Sequence, residues 1–222
     1  MSVHALKTPE PANDASAPEP QLEPFRCDVD ADIFRKVASV CGSEDGRNWL
    51  HGVKIEPRRD GGRGVLMIAT DGHSMLIFCD ESGEMTGEGG VVCLPPALLK
   101  ACKPGRYRSE RLSVSETGAA TVGALSAPKC VLDVSFPEWR RVMPSGLDAK
   151  APANSVNPDK LKVIGAALQG DSAAPGVRCF GEATDDASYP GPYLVLGWDT
   201  RGFGLLMGLR FERGPDLPAW IA

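Results

Sequence analysis

Asp71 and His73 are the residues of this chain whose types and spacing could support acid–base chemistry. Both lie in the segment Ala69–Met75, which reads ATDGHSM. A hydrolase would need a nucleophile beside such a pair, and none is placed with them. The histidines, at positions 4, 51 and 73, are isolated, and the sequence has neither a glycine-rich phosphate-binding motif nor a cluster with metal-ligand spacing. We therefore expect no enzymatic activity, no cofactor and no metal.

The cysteines indicate a reducing compartment and argue against a disulfide framework. There are seven, at positions 27, 41, 79, 93, 102, 130 and 179, and they form no CxxC pair. Most lie in apolar runs such as Phe78-Cys79, which is typical of buried, reduced thiols. No run approaches the roughly 18 apolar residues that a membrane span requires. These features predict a cytoplasmic protein with no membrane partner.

Three stretches, beginning at Val29, Cys93 and Val156, look alike and predict one structural unit used three times. Their starting points are 64 and 63 residues apart. Asp30 and Asn157 are capping or turn residues, and a proline or small residue follows at the first helical position, as at the start of many helices. Each predicted helix packs an apolar face on a sheet. The residues of these faces are 34, 37 and 38 in the first helix, 98, 101 and 102 in the second, and 161, 164 and 168 in the third.

Short apolar runs punctuated by Gly, Pro and Asp follow each predicted helix and favour antiparallel strands. They are 50–57, 65–70 and 74–79 in the first unit, 107–114, 119–123 and 130–134 in the second, and 176–181, 192–198 and 203–211 in the third. The predicted fold class is α+β, with repeats of one helix plus about three antiparallel strands.

The composition of the tail and linker, together with the repeated units, divides the chain into five parts. Residues 1–24 are rich in Pro, Ala, Glu and Ser and predict a disordered tail. Residues 25–144 hold the first two units, 145–155 form a linker, 156–211 hold the third unit, and 212–222 form a C-terminal extension.

All three predicted helices carry cations outside their apolar faces, although the net charge of the chain is −5. The cations are Arg35, Lys36, Lys100, Lys103, Lys160 and Lys162. If the helices line one concave surface, these side chains would form a basic track for DNA phosphates, with salt-dependent contacts that do not read sequence. The alternative is that they occupy ordinary solvated helix faces.

Two motifs carry a family resemblance. They are ATDGHSM and Phe136–Pro144, which reads FPEWRRVMP, and together they resemble the middle domain of the bacterial DNA polymerase III beta sliding clamp. Residues 47–53 (RNWLHGV) and 205–210 (LLMGLR) are also similar to that family. The likeness is strong over 29–144 and weaker over 155–211, and the chain looks like a small, truncated relative that lacks the first domain. Without the resemblance, the first motif would be a plain Asp-Gly hairpin turn and the second a strand end with a buried Trp139.

The resemblance implies a groove that binds the apolar anchors of an extended peptide. The matching positions are Leu50, Thr70, Gly72, His73, Ser74, Met75, Pro137, Arg141, Val142, Leu205, Leu206, Met207, Gly208, Leu209 and Arg210. It also implies that Arg47 and Trp49 join the helix cations in contacting DNA, the alternative being that they only cap a hairpin. Ser74 and Gly208 depart from the family, which usually has arginine and proline there, and both would weaken or retune the groove.

Residues 21–25 (QLEPF) are similar to the QLxLF-type peptides that enter clamp pockets. They would occupy the chain's own groove, that of a neighbour, or that of a full-length clamp. The alternative is a chance match in a low-complexity tail.

Two functions remain open at this level. The first is a processivity factor that encircles or cradles double-stranded DNA and tethers a DNA polymerase or other clamp-binding peptides. This function implies a homo-oligomer, with a clamp loader as a possible further partner. The second is an interaction module that forms no ring and regulates or competes for clamp partners.

Overall fold

The computed structural model describes residues 24–42, 46–105, 110–143, 155–170, 176–181 and 191–209. Within them the chain forms three α-helices, fourteen strands and two short 3-10 helices, at Asn48–Leu50 and Trp139–Val142. All strand pairs in the described residues are antiparallel. The predicted α+β class is confirmed. Residues 1–23 of the predicted tail, most of the linker and the extension at 212–222 lie outside the described residues.

The three predicted helices are present and begin as their sequences indicate. They are α1 (Ala31–Ala38), α2 (Pro96–Ala101) and α3 (Pro158–Leu168). The Asp30 carboxylate caps α1 by accepting from the amides of Asp32 and Ile33 at 2.9 and 3.0 Å. Asn157 caps α3 in the same way, at 2.9 and 3.2 Å. These side chains accept from amides that a helix start leaves unpaired, which stabilises each helix by about 1 kcal/mol.

The strands of the first two units are exchanged between two sheets. The first unit contains β1 (Arg26–Asp30), β2 (Val53–Pro57), β3 (Val65–Thr70), β4 (Ser74–Asp80) and β5 (Glu84–Thr86). The second contains β6 (Gly90–Val92), β7 (Arg111–Val114), β8 (Ala120–Val122), β9 (Leu125–Ala127) and β10 (Val131–Leu132). The sheet orders are β5-β1-β7-β8-β9 and β10-β6-β2-β3-β4, so each unit contributes two strands to the sheet of the other.

The third unit extends the second of these sheets. It contains β11 (Ser155–Val156), β12 (Arg178–Phe180), β13 (Pro192–Leu196) and β14 (Gly202–Leu209). Strand β14 pairs with β4, with Leu205 opposite Met75, so that β13 and β12 continue the sheet outward. Ser155, the last residue of the predicted linker, forms β11 with Val156, and β11 pairs with the end of β14.

The predicted strand pattern needs several corrections. The strand expected at 50–57 begins at Val53, because residues 48–50 close a 3-10 turn in which the Leu50 amide donates to the Arg47 carbonyl. Strands β1, β5, β6, β9 and β11 were not predicted. Most of these are only three residues long, too short to show an alternating pattern.

The nine-stranded sheet has two differently covered faces. One face packs against α1 and α3 and places Phe34, Phe78, Ile164 and Leu206 in one core. Gly204 on this face permits the close approach of α3, since a Cβ there would lie 2.5 Å from Ile164 Cγ2. The predicted apolar helix faces are confirmed, because Val37, Leu98, Cys102 and Leu168 belong to the same core.

The opposite face carries a second, smaller cluster, formed by Ile68, Met75, Ile77 and Leu205 with Trp139 above them. Successive strand side chains point to opposite faces, so this cluster takes the residues of β3, β4 and β14 that the helices leave uncovered.

Phe25, the last residue of the QLEPF segment, packs against the main core, with its ring over Gly90. Thr86 Oγ1 donates to the Pro24 carbonyl oxygen at 2.9 Å. The aromatic anchor of the proposed peptide is therefore used in the fold of its own chain, which favours the chance-match interpretation. Residues 21–23 lie outside the described residues.

Candidate functional site

A groove of about 420 Å³ opens on the second face of the nine-stranded sheet. Three segments meet there: the turn between β3 and β4, the segment around the 3-10 helix Trp139–Val142, and strand β14 with its neighbour β13. The predicted residues that line it are Leu50, Thr70, Gly72, His73, Ser74, Met75, Pro137, Val142, Leu205 and Met207. Segments far apart in sequence are brought together because β14 pairs with β4.

The floor of the groove is apolar. Leu50, Met75, Leu205 and Trp139 are buried, with exposed fractions between 4% and 8%. The Trp139 ring packs on the smaller cluster and has the Arg140 guanidinium 4.1 Å above it, while Arg140 also bonds Glu56 at 2.5 Å. Trp139 Nε1 is buried and has no hydrogen-bond partner in the part of the chain that the structure describes. Such a floor accepts aliphatic or aromatic side chains and disfavours charged ones.

The rim is built by the tight turn of the ATDGHSM motif. Gly72 has a φ of +88°, a left-handed conformation that glycine adopts without strain. Asp71 Oδ1 accepts from the amides of His73 and Ser74 at 2.9 and 2.7 Å, and Thr70 Oγ1 donates to the Ser74 carbonyl oxygen at 2.7 Å. These bonds hold His73 exposed at the rim, and the Met207 amide donates to its carbonyl oxygen at 3.0 Å.

An ion pair ties this turn to the third unit. The Lys160 ammonium of α3 donates to Asp71 Oδ2. Burial alone would raise the pKa of the Asp71 carboxyl, but the hydrogen bonds from Lys160 and from the two turn amides outweigh burial and lower the pKa. Asp71 is thus held as a carboxylate that shapes the turn, and its side chain is 13% exposed and does not line the groove.

Four of the predicted groove residues that the structure describes do not line the groove. Leu206 points into the main core because strand side chains alternate, and it is 1% exposed. Gly208 pairs with Val156 of β11, and Leu209 pairs with Ser155 and is exposed. Arg141 is exposed on the 3-10 helix outside the groove lining, and Arg210 lies outside the described residues.

Five further residues line the groove. Arg47 and Trp49, expected as DNA contacts, lie on the groove wall, where Trp49 is 40% exposed. Glu138, Trp139 and Pro192 were not predicted. Glu138 and Trp139 follow Pro137 within the quoted motif, so adjacency could have identified them. Pro192 carries no sequence signal, because only the pairing of β13 with β14 places it opposite Met207.

The cations of the helices divide into paired and exposed groups. Arg35 bonds Asp32 at 2.6 Å, and Lys36 lies 3.4 Å from Asp32 and 3.2 Å from Asp199 with its side chain only 14% exposed. Lys160 pairs with Asp71 as described above. Lys100, Lys103 and Lys162 are exposed. The pairing with Asp199 links α1 to the turn between β13 and β14, which gives the Lys36 side chain a structural role.

The Asp199 carboxylate accepts from Lys36 in this link, and it should make the free energy of unfolding depend on pH in the acidic range. Burial would raise the pKa of its carboxyl, but bonds from the Arg201 side chain and amide, and then from Lys36, lower it to about 2 from an ordinary 3.8. Because the folded pKa is the lower one, this stabilisation of about 2 kcal/mol is complete above about pH 4 and lost as the pH falls toward 2. We expect urea denaturation to show a smaller fall in the free energy of unfolding between pH 6 and pH 3 for Asp199→Asn than for the unmodified protein. Equal falls would contradict this account.

The described residues contain no group of three or more His, Cys, Asp and Glu side chains arranged to hold a metal ion. All seven cysteines are free thiols, and burial raises the pKa of Cys27 and of Cys41 to about 12, which keeps both protonated at neutral pH. No helix of the described ranges is both long and apolar enough to cross a membrane.

Comparison with known proteins identifies the fold. No family model matches the sequence, and no curated protein matches it. The structure is similar to a DnaN sliding clamp (DNA polymerase III subunit beta) from Bartonella birtlesii bound to griselimycin. The TM-score is 0.58 and the identity 15%, over 88% of this chain and 68% of that one. It is also similar to a Helicobacter pylori beta clamp bound to a DNA ligase peptide, with a TM-score of 0.60 and 13% identity over 89% of this chain and 69% of that one.

A third similar structure is DNA polymerase III subunit beta from Borrelia burgdorferi in complex with a natural product. Its TM-score is 0.63 and its identity 10%, over 88% of this chain and 65% of that one. The chain therefore has the fold of DNA polymerase III beta sliding clamps, and spans about two thirds of the length of these chains. At such identities the likeness establishes the fold.

Proposed function

We propose that this protein is a non-enzymatic, sliding-clamp-like processivity factor that binds double-stranded DNA without sequence preference and tethers a DNA polymerase through the groove. The observation that carries the proposal is the groove on a sliding-clamp fold. Its apolar floor lies between the turn of the ATDGHSM motif and strand β14 of the third unit. A Helicobacter pylori clamp binds a DNA ligase peptide, so peptides from other DNA-processing enzymes are candidate partners as well. Work on DNA implies a cytoplasmic location.

The arrangement of the helices supports the DNA-binding part of the proposal. Helices α1 and α3 pack on the same face of the nine-stranded sheet, opposite the groove. Helix α2 packs on β8 and β9 of the five-stranded sheet, and its Leu98 enters the same main core as Phe34 of α1 and Ile164 of α3. The DNA-binding part of the proposal requires that the exposed side chains of Lys100, Lys103 and Lys162 face one surface.

The three exposed lysines lead to a quantitative prediction for the salt dependence of DNA affinity. Changing Lys100, Lys103 and Lys162 to alanine should weaken binding to duplexes of different sequence equally. The slope of log affinity against log salt concentration should fall by about 0.9 for each phosphate that the variant no longer neutralises. Fluorescence anisotropy of a labelled duplex over a salt series measures both effects. Lys129→Ala removes an exposed lysine outside the helices and is the matched control. An unchanged slope in the triple variant would contradict the helix track.

The rival function is an interaction module that forms no ring and competes for clamp partners. It is favoured by the pairing of Arg35, Lys36 and Lys160 with carboxylates, which engages half of the helix cations expected to face DNA. Retention on circular DNA separates the two functions. A processivity factor that closes as a homo-oligomer, with or without a clamp loader, should stay on nicked circular DNA and leave after linearisation. A monomer by light scattering at micromolar concentration, with no topological retention, would support the rival.

A further inference from the structure

The ionisable side chains at the groove determine which charged peptides it favours. Those lining it are Arg47, His73 and Glu138. Asp71 contributes little, because its side chain is 13% exposed and is paired with Lys160. Glu138 is therefore the carboxylate that a bound peptide would meet.

The Glu138 carboxylate is exposed and has no hydrogen bond or ion pair with any residue in the described ranges. Its residue precedes the 3-10 helix Trp139–Val142, and its side chain caps no amide there. Of the two neighbouring cations, Arg140 is engaged with Glu56 at 2.5 Å and with the Trp139 ring. Arg141 donates its backbone amide to the Glu138 carbonyl oxygen at 3.2 Å, but its side chain lies beyond ion-pair distance of the carboxylate.

We propose that the groove selects peptides that carry a lysine or arginine beside their apolar anchors, and that Glu138 is the residue that determines this selectivity. This inference rests on the proposed function, since it names the chemistry of the peptide partner. The apolar floor supplies most of the affinity, while a charge at the edge of a binding surface acts mainly on partner choice and association rate. An exposed ion pair of this kind changes affinity by about two- to fivefold and is weakened by salt.

Two labelled peptides test the proposal. Both carry the same leucine and phenylalanine anchors, and they differ only in whether the flanking positions hold lysine or glutamine. Anisotropy at low salt should show the lysine peptide binding about two- to fivefold more tightly. Glu138→Gln should remove this difference without changing affinity for the glutamine peptide. Glu88→Gln, at another exposed glutamate outside the groove, is the control and should retain the difference.

The outcomes separate this inference from the function on which it rests. If the two peptides bind the unmodified protein equally, or if the preference survives in Glu138→Gln, the selectivity is overturned while the groove remains a peptide site. If neither peptide binds the unmodified protein, the peptide-tethering function fails and the selectivity fails with it.

Discussion

Replacing Met207 with glutamate is expected to lower affinity for a clamp-binding peptide by at least about 100-fold. Met207 lies on the groove wall at the end of β14, and Leu205 on the same face of the strand is buried in the floor. A peptide anchored there would cover position 207 and remove the new carboxylate from water without providing a partner. The cost of burying an unpaired charge exceeds the roughly 2.7 kcal/mol that a 100-fold change represents.

Val142→Glu tests the opposite wall and should have a similar but smaller effect. Val142 is 44% exposed, so the carboxylate would retain part of its hydration. Isothermal titration calorimetry with one polymerase-derived peptide measures both variants. Leu125→Glu is the matched control, since Leu125 is an apolar residue, 50% exposed, on β9 outside the groove. Full peptide affinity in Met207→Glu would rule out this groove as the docking site.

Truncating Leu206, which neighbours Met207 on β14, should lower stability and leave peptide affinity nearly unchanged. This is the opposite of the pattern expected for Met207→Glu. Leu206→Ala is expected to lower the free energy of unfolding by about 2–5 kcal/mol, the usual cost of a cavity at a fully buried leucine. The Leu206 side chain is 1% exposed and packs in the main core beneath α3. Peptide affinity, measured where the variant remains folded, should change by less than about twofold because the side chain points away from the groove.

Urea denaturation measures this loss, and Leu209→Ala provides the comparison. Leu209 lies on the same strand but is 42% exposed, so its truncation should cost less than about 0.5 kcal/mol. A Leu206→Ala variant with unchanged stability and weakened peptide binding would show that the two faces of β14 have been assigned the wrong way round.

The elements of the fold were largely predictable from local sequence. Asp30 and Asn157 predicted the starts of α1 and α3 because their short polar side chains satisfy amides within three residues. The apolar faces of the helices followed from spacing, since Phe34, Leu98 and Ile164 all enter one core. The short strands β5, β6 and β9 were missed because they are held by partners elsewhere in the chain rather than by an alternating pattern of their own.

The candidate site was predictable only in part. The turn at Asp71 and Gly72 is local, and its geometry follows from a carboxylate that bonds the next two amides and a glycine with positive φ. Assigning Leu206 to the groove was wrong, because a strand presents only every second side chain to one face and this one enters the main core. The placement of Arg47 and Trp49 on the groove wall depends on the 3-10 turn that precedes β2.

The sequence by itself determined the repeated helix-and-strand units, the helix caps and the tight turn of ATDGHSM, since each of these depends on interactions within a few residues. The tertiary structure decided which strands are exchanged between the units, which face of β14 meets the groove, and which helix cations are held by carboxylates. Lys36 reaches Asp199 and Lys160 reaches Asp71 only after the third unit has joined the sheet through β4 and β14. The partners of these two ion pairs are 163 and 89 positions apart in the sequence. The energy of an ion pair depends on the distance between its charges, and here that distance is set by the tertiary fold and not by local spacing.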